Sequence, residues 1–373
     1  MSDIKILKAE SKSEIKTFLK MAFDIYKGND AWVPPLYMDK MHVLDKVKNP
    51  FFQHAEMQLF MAQRDGKIVG RIAAISNELH NKTHNDTVGF FGFFECINDQ
   101  SVANILLDTA KDWLKKRGFT EMRGPANPSS NDEYGLLIDS FDCSPVISMP
   151  FNPPYYIDLL EKYGLIKAKD LYAYIIRNEI LVKQEKLVRG AEIVRKRSGV
   201  TIRPLNLKNF NDELQLVKYV YNKAWEKNWG FVPLTNEEMD DLAANFKPII
   251  NPNVVLFMEK DGETIGFALA VPDYNQIFKK MNGKLFPFGF IKLLSQKKKV
   301  NLLRIIILGV IPEYQKRGLD SLFYYEIAKR AKDEGITLGE ASWILEDNIM
   351  MNKGAEMMGG ELYRKYRIYE VKI

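Results

Sequence analysis

Two stretches in opposite halves of the chain read as the same β-hairpin. They are Gln58-Leu59-Phe60-Met61-Ala62-Gln63-Arg64-Asp65-Gly66-Lys67-Ile68-Val69-Gly70 and Leu256-Phe257-Met258-Glu259-Lys260-Asp261-Gly262-Glu263-Thr264-Ile265-Gly266. Each has a largely apolar strand, an Asp-Gly turn and a return strand ending on glycine. One hairpin can recur by chance, but an ordered series of matches cannot easily do so. Before the hairpins, Trp32-Val33-Pro34-Pro35-Leu36 corresponds to Trp229-Gly230-Phe231-Val232-Pro233-Leu234. After them, Lys115-Lys116-Arg117-Gly118-Phe119 corresponds to Lys332-Asp333-Glu334-Gly335-Ile336, and Tyr163-Gly164-Leu165 to Met358-Gly359-Gly360. The chain is therefore expected to hold two copies of one unit.

Each copy reads strand, helix, hairpin, strand, helix, strand, helix, strand, which is a mixed α/β order. In the first, Ile4–Leu7 alternates weakly, and Glu14–Tyr26 has a helical apolar face that Ser13 is expected to cap. In the second, Ile202 begins a strand and Phe210–Trp225 a helix. The expected division is a first domain over residues 1–180, a charged helical linker over 181–199 and a second domain over 200–373.

The most telling stretch of the second copy runs from Leu303 to Lys332. Ile305–Val310 is an apolar run suited to a buried strand and too short for a membrane span. Pro312 marks a turn, Gln315-Lys316-Arg317-Gly318 follows, and Leu322, Phe323, Ile327, Ala328 and Ala331 recur at helical spacing. The free amides of a helix start, its dipole and two cations make a natural seat for a phosphate.

The segment Val310-Ile311-Pro312-Glu313-Tyr314-Gln315-Lys316-Arg317-Gly318-Leu319 resembles the acyl-CoA loop of the GNAT (Gcn5-related) N-acyltransferase superfamily, Gln/Arg-x-x-Gly-x-Gly/Ala after a strand ending Val-x-Pro-x-Tyr. The element order of both copies is similar to a GNAT domain, so the resemblance covers nearly the whole chain as a tandem pair, of a two-domain bacterial type. It implies an α/β fold with a mixed sheet in each domain. It also implies acetyl-CoA or a longer acyl-CoA as co-substrate and an amine as acceptor. Val310, Gln315, Lys316, Arg317, Gly318, Leu319, Asp320 and Ser321 would contact the acyl-CoA, with the amides near Val310 holding the oxyanion. Asp320 stands where the family has Gly or Ala. Asn348 matches the Asn that begins the family's last helix, as a CoA contact or a helix cap. Ala355 stands where the family often has the tyrosine that protonates the thiolate, leaving Tyr363 or Tyr366 as substitutes.

An amine attacking a thioester needs a base, and the densest polar cluster near the next strand is Glu340-Ala341-Ser342-Trp343-Ile344-Leu345-Glu346-Asp347-Asn348. Glu340 and Glu346 are the candidate bases, and either is also readable as an ordinary strand-edge charge. Tyr366 is the candidate acid.

The first copy differs at the equivalent loop. Asn98-Asp99-Gln100-Ser101 has neither glycine nor cation and cannot form the same cradle, so this half reads as degenerate for CoA. It carries instead the insert Gly124–Gly135. This is either an ordered Pro-rich connection or a substrate rim presenting Asn131, Glu133 and Tyr134 to an acceptor held between the domains.

The second copy has its own insert, Tyr274–Val300, with Phe286, Phe288 and Phe290 followed by Lys297, Lys298 and Lys299. Ordinary packing, a flap over an acyl chain, and a peripheral membrane contact remain alternatives.

The net charge of +5 is too mild for a nucleic-acid binder, and two cysteines with four histidines give no disulfide framework or conventional metal site. A cytoplasmic protein is expected, peripheral to the inner membrane face if the insert meets lipid. The sequence reading is an acyl-CoA-dependent N-acyltransferase acting on a small-molecule or lipid-like primary amine. Its alternative is a non-catalytic acyl-CoA- or lipid-binding relative at a membrane surface.

Overall fold

The computed structural model describes residues 3–183, 185–285 and 288–373, the side chains of Phe288 and Phe290 excepted. The expectations for Phe286, Phe288 and Phe290 thus lie outside what is described.

The chain opens with β1 (Lys5–Ala9), α1 (Lys12–Ile25), α2 (Tyr37–Val43), β2 (Ala55–Arg64), β3 (Lys67–Asn77), α3 (Glu78–His84), β4 (Val88–Cys96) and α4 (Gln100–Lys115). It continues through β5 (Glu121–Gly124), the short β6 (Ala126–Asn127), β7 (Glu133–Tyr134) and β8 (Leu136–Leu137), then α5 (Tyr156–Tyr163) and β9 (Ile166–Arg177). Next come α6 (Asn178–Lys183), α7 (Glu185–Ser198), β10 (Thr201–Pro204), α8 (Phe210–Ala224), α9 (Asn236–Phe246), β11 (Val255–Lys260) and β12 (Glu263–Pro272). The rest is α10 (Asn275–Phe278), α11 (Phe288–Gln296), β13 (Leu302–Val310), α12 (Leu319–Asp333), β14 (Leu338–Leu345), α13 (Ile349–Met357) and β15 (Glu361–Lys372).

Both hairpins form where the repeat placed them. Asp65 and Gly66 take φ of 50° and 76°, and Asp261 and Gly262 take 50° and 85°. Two consecutive positive φ values are what a tight turn between right-twisted strands demands. Helix α1 starts earlier than expected, and its cap is Ser11, not Ser13. The Glu14 amide donates to Ser11 Oγ at 3.3 Å while the Ser11 amide donates to the Glu14 carboxylate at 2.8 Å, a reciprocal pair that satisfies two orphan donors.

Two compact units result. The first comprises Met1–Asp170, Asn275–Ser295 and Lys365–Ile373; the second comprises Leu171–Tyr274 and Gln296–Arg364. These units cut across the expected division at 180 and 200, because β9 and β15 each begin in one unit and end in the other.

In the first unit the strand order is β1-β2-β3-β4-β5, and the final residues of β15 pair antiparallel with β5 from Tyr369↔Gly124 to Lys372↔Glu121. Its core gathers Phe60, Ile72, Phe91, Leu106, Leu107, Met122, Tyr156 and Tyr369 under α4 and α5. In the second unit the order is β10-β11-β12-β13-β14-β9, around Phe257, Phe267, Leu303, Phe323 and Ile327. The stretch expected as a linker is α6 and α7 of this unit, packed on α12, where Arg195 meets Glu326 at 2.5 Å.

Candidate active site

In the second unit, β13 and β14 run parallel and paired from Leu302↔Leu338 to Ile305↔Ala341, and there the ladder stops. Two irregularities end it. Leu269 of β12 faces Ile307 while Ala270 faces Ile305, so Ile306 bulges from β13; β14 breaks register with β9 after Ala341. Ile306 to Gly309 are half-buried, between the buried Ile305 and Val310. Parting a parallel pair leaves main-chain groups on the inner edges that a ligand or water must satisfy. Trp225, at the end of α8, packs on the face of β13 at Gly309, since a Cβ there would lie 2.3 Å from its ring.

Beyond β13 the chain turns through Pro312–Tyr314 into α12. The Gln315 side-chain amide donates to the Val310 carbonyl at 2.9 Å and so ties the turn to the strand end. Lys316, Arg317 and Gly318 are exposed. Arg317 donates to the Glu313 carbonyl at 2.9 Å, and its guanidinium lies 5.1 Å from the Tyr314 ring centre. Gly318, at φ 73°, begins α12 with no side chain capping the helix. Of the first-turn amides, that of Ser321 donates to the Gly318 carbonyl at 3.2 Å, and no side chain caps the helix start. Leu319 is buried, and Ser321 Oγ donates to the Gly318 carbonyl at 2.6 Å. The half-buried Asp320 carboxylate lies against α13, 3.9 Å from where a Cβ on Gly354 would be. Asn348 caps α13 by accepting from the Met351 amide at 3.2 Å, and Ala355 is fully buried in that helix.

Glu340 is fully buried on β14, in register with Arg304 on β13. Ser342 Oγ donates to one carboxylate oxygen at 2.5 Å and the Tyr363 hydroxyl to the other. Arg304 Nε donates in turn to Ser342 Oγ at 3.1 Å. Leu303, Ile305 and Gly339 border a small void under α12 together with Tyr324, Ile327 and Ala328. Strand alternation therefore puts Arg304 and Glu340 on the opposite face of the sheet. Burial pushes the Glu340 carboxyl above its ordinary value, against the lowering effects of Ser342, Tyr363, Arg304 and Arg364. Tyr363 is half-buried, and so is Glu346 in the turn after β14. Tyr366 is fully buried on the part of β15 that belongs to the first unit, in register with Leu137.

The first unit has the same parallel pair with its opening filled. β4 and β5 pair only from Val88↔Glu121 to Phe90↔Arg123. The chain after β5 then presses into the gap, so a Cβ on Gly92 would lie 1.7 Å from the Ala126 carbonyl oxygen. The Phe93 amide donates to Asn127 Oδ1 at 2.6 Å. At the start of α4, Asp99 accepts from the Ser101 amide at 2.8 Å and pairs with Arg64 at 2.8 Å. Hydrogen bonds from Ser101 and Arg64 hold its carboxyl down at about 2. An anion of the chain's own thus occupies this helix start.

The insert residues are engaged within the first unit. Glu133 accepts from Lys40 Nζ at 2.7 Å and from Asn127 Nδ2 at 3.5 Å. The Asn131 amide donates to Ser129 Oγ at 3.1 Å, and Tyr134 is buried, its hydroxyl pushed up by that burial. Sequence reasoning missed Arg304, Ser342 and Trp225. An arginine inside an otherwise apolar strand was a readable signal for the first.

Among the described residues, no group of three or more His, Cys, Asp or Glu could hold a metal ion, and no helix is long and apolar enough to cross a membrane. No family model matches the chain. It is 36% identical over 379 residues to the bacterial ceramide synthase of Caulobacter vibrioides, covering 99% of this chain and 97% of that one. It is 34% identical over 369 residues to protein YghO of Escherichia coli, covering 97% and 94%. A tandem GNAT protein from the clavulanic acid biosynthesis pathway superposes with a TM-score of 0.59 at 11% identity, covering 99% of this chain and 98% of that one. At that identity the likeness speaks for the fold.

Proposed function

The chain belongs to the family of bacterial ceramide synthase and protein YghO, on a tandem GNAT fold, and from that premise we propose that it is an N-acyltransferase moving a long-chain acyl group from acyl-CoA to the primary amine of a lipid-like acceptor. A ceramide is the amide of a fatty acid with a long-chain amino alcohol, so the relative's name fits the reaction that the GNAT resemblance implies. The observation that carries the reading in this chain is the parting of β13 from β14 directly before an uncapped, cation-flanked helix start.

In this reading the acyl thioester lies along the free edge of Ile306–Val310, whose amides receive the oxyanion. The start of α12, with Lys316 and Arg317, receives the pyrophosphate. The acceptor enters as an ammonium and must lose one proton before its nitrogen can attack. A C–N bond forms, the C–S bond breaks, and the second proton lost by nitrogen ends on the departing thiolate. Glu340 has both oxygens engaged and no exposed surface, so it acts through Tyr363. The half-buried tyrosine meets the substrate and passes a proton inward, while Ser342 and Arg304 hold the carboxylate in place. The filled gap and the Asp99-capped helix support a first unit without a donor site of its own.

A second reading, binding without turnover, is favoured by Asp320 in the first turn of the donor helix and by Ala355 in place of the usual tyrosine. The two are separated by incubating the purified chain with a long-chain amino alcohol and an acyl-CoA series from acetyl to palmitoyl. Mass spectrometry reads the amide, and a thiol reagent reads the released CoA. One thiol per amide is expected, rising with acyl length. Thermal stabilisation by the donor without amide would establish the binding reading, and neither effect would defeat both.

A further inference from the structure

We propose that the insert carrying α10 and α11 is an anchor that seats this protein on an anionic lipid surface. The inference does not rest on the acyl-transfer reading, because it concerns binding alone.

One side of the insert is fixed to the first unit. Asn275 Nδ2 donates to the Pro145 carbonyl at 2.9 Å, and the Tyr37 amide donates to the Gly283 carbonyl at 3.0 Å. Gly283 takes φ 72°, and a Cβ there would sit 2.8 Å from the Pro35 carbonyl oxygen and 3.1 Å from the Phe23 ring. Ile277 and Met281 are buried. Lys292 reaches back to the Lys280 carbonyl at 3.0 Å, holding α11 to the turn before it.

Two apolar side chains of α11 are uncovered. Ile291 is 63% exposed and Leu294 53% exposed, three residues apart and so on one face of α11. A connection serving only to link β12 and β13 would bury such side chains or replace them with polar ones. Met38 of α2, beside the Tyr37 that bonds the insert, is 61% exposed in the same unit.

The charge pattern selects the partner. Between Tyr274 and Ile311 the sequence contains no Asp or Glu, and it carries Lys279, Lys280, Lys284, Lys292, Lys297, Lys298 and Lys299. All of these are exposed except the half-buried Lys292. Apolar side chains on a short helix that cannot span a bilayer, flanked along the chain by lysines with no acid among them, match the interfacial zone of an anionic membrane. Each lysine near such a surface strengthens binding by about fivefold at moderate ionic strength. An acidic protein partner would use the lysines but has no equal need of Ile291 and Leu294.

The test is co-sedimentation of the full chain with vesicles of phosphatidylcholine alone or mixed with phosphatidylglycerol. Binding to the mixed vesicles and not to phosphatidylcholine is expected. Replacing Lys297, Lys298 and Lys299 by Gln should weaken it by about a hundredfold at low ionic strength. Ile291→Asp with Leu294→Asp should abolish it, and circular dichroism checks that these exposed substitutions leave the fold unchanged. Absence of binding to the mixed vesicles at low salt would overturn the proposal. So would full retention by the Ile291/Leu294 variant, which would leave charge alone at work.

Discussion

Asp320 offers a substitution whose effects on stability and on binding should have opposite signs. Its carboxylate sits in the first turn of α12, where a negative charge favours the helix dipole, and beside the loop assigned to the donor pyrophosphate. Asp320→Asn preserves size, so the contact with α13 near Gly354 is kept and only the charge is lost. Removing that charge from the helix start costs about 0.3–1 kcal/mol, a fall in Tm of roughly 0.4–1.3 °C for a chain of this size. Phosphates at the loop amides would lie about one turn, ~6 Å, from the carboxylate. Each unit charge there is repelled by about 0.7 kcal/mol in water, and by about 1.4 kcal/mol at an effective dielectric near 40. Two phosphate charges give ~1.4–2.8 kcal/mol, and because Asp320 is half-exposed the lower end applies, about tenfold in Kd. Calorimetry of CoA binding at low ionic strength, alongside thermal unfolding of the apo protein, reads both quantities. A tighter Kd with a lower Tm is expected, and the gain should shrink as salt is added. A lower Tm with unchanged affinity at low salt would refute the placement of the pyrophosphate at α12.

Other outcomes follow from the same geometry. Glu340→Gln should lower turnover by about 100-fold or more while leaving donor Kd within a few-fold, and Tyr363→Phe should behave similarly if the carboxylate acts through it; wild-type pH–rate profiles in both variants would remove the pair from the reaction. Because burial raises the Glu340 carboxyl from 4.5, its contribution to stability is complete below that pH and is lost as pH rises through the raised value. Urea unfolding from acid to neutral pH should therefore show the Gln variant gaining on the wild type as pH rises. Asn127→Ala removes the acceptor of the Phe93 amide and should cost about 1–3 kcal/mol in urea unfolding, with no change in CoA affinity; weakened CoA binding would show that the first unit has a donor site after all.

What the sequence disclosed was local. Asp65-Gly66 and Asp261-Gly262 carry their turn geometry in the residues themselves, and the apolar run, turn and helical face around Gln315–Gly318 are contiguous in the chain. Even the α1 cap was readable, since Ser11 and Glu14 have the spacing of a reciprocal cap that Ser13 lacks. What stayed hidden depends on approaches between distant segments. Nothing around Gly92 says that the Ala126 carbonyl will lie against it, nor that Asn127 will accept from Phe93. Glu340 could be suspected from its neighbours, but its bond to Tyr363 and its register with Arg304 are made only by the sheet. The insert residue Glu133, read as part of a substrate rim, is met by Lys40 from far upstream.

The membership of Lys365–Ile373 in the first unit sets an order on the life of the chain. β5 has those residues for its antiparallel neighbour, and they are synthesised after every other residue of both units. While the ribosome is still working, the first sheet therefore waits with an open edge of unpaired amides and carbonyls, the kind of edge that invites the wrong strand. Separate expression of residues 1–199 and 200–373 would leave each fragment holding a strand that the other requires. A cut between residues 199 and 200 therefore leaves neither unit with all of its own strands.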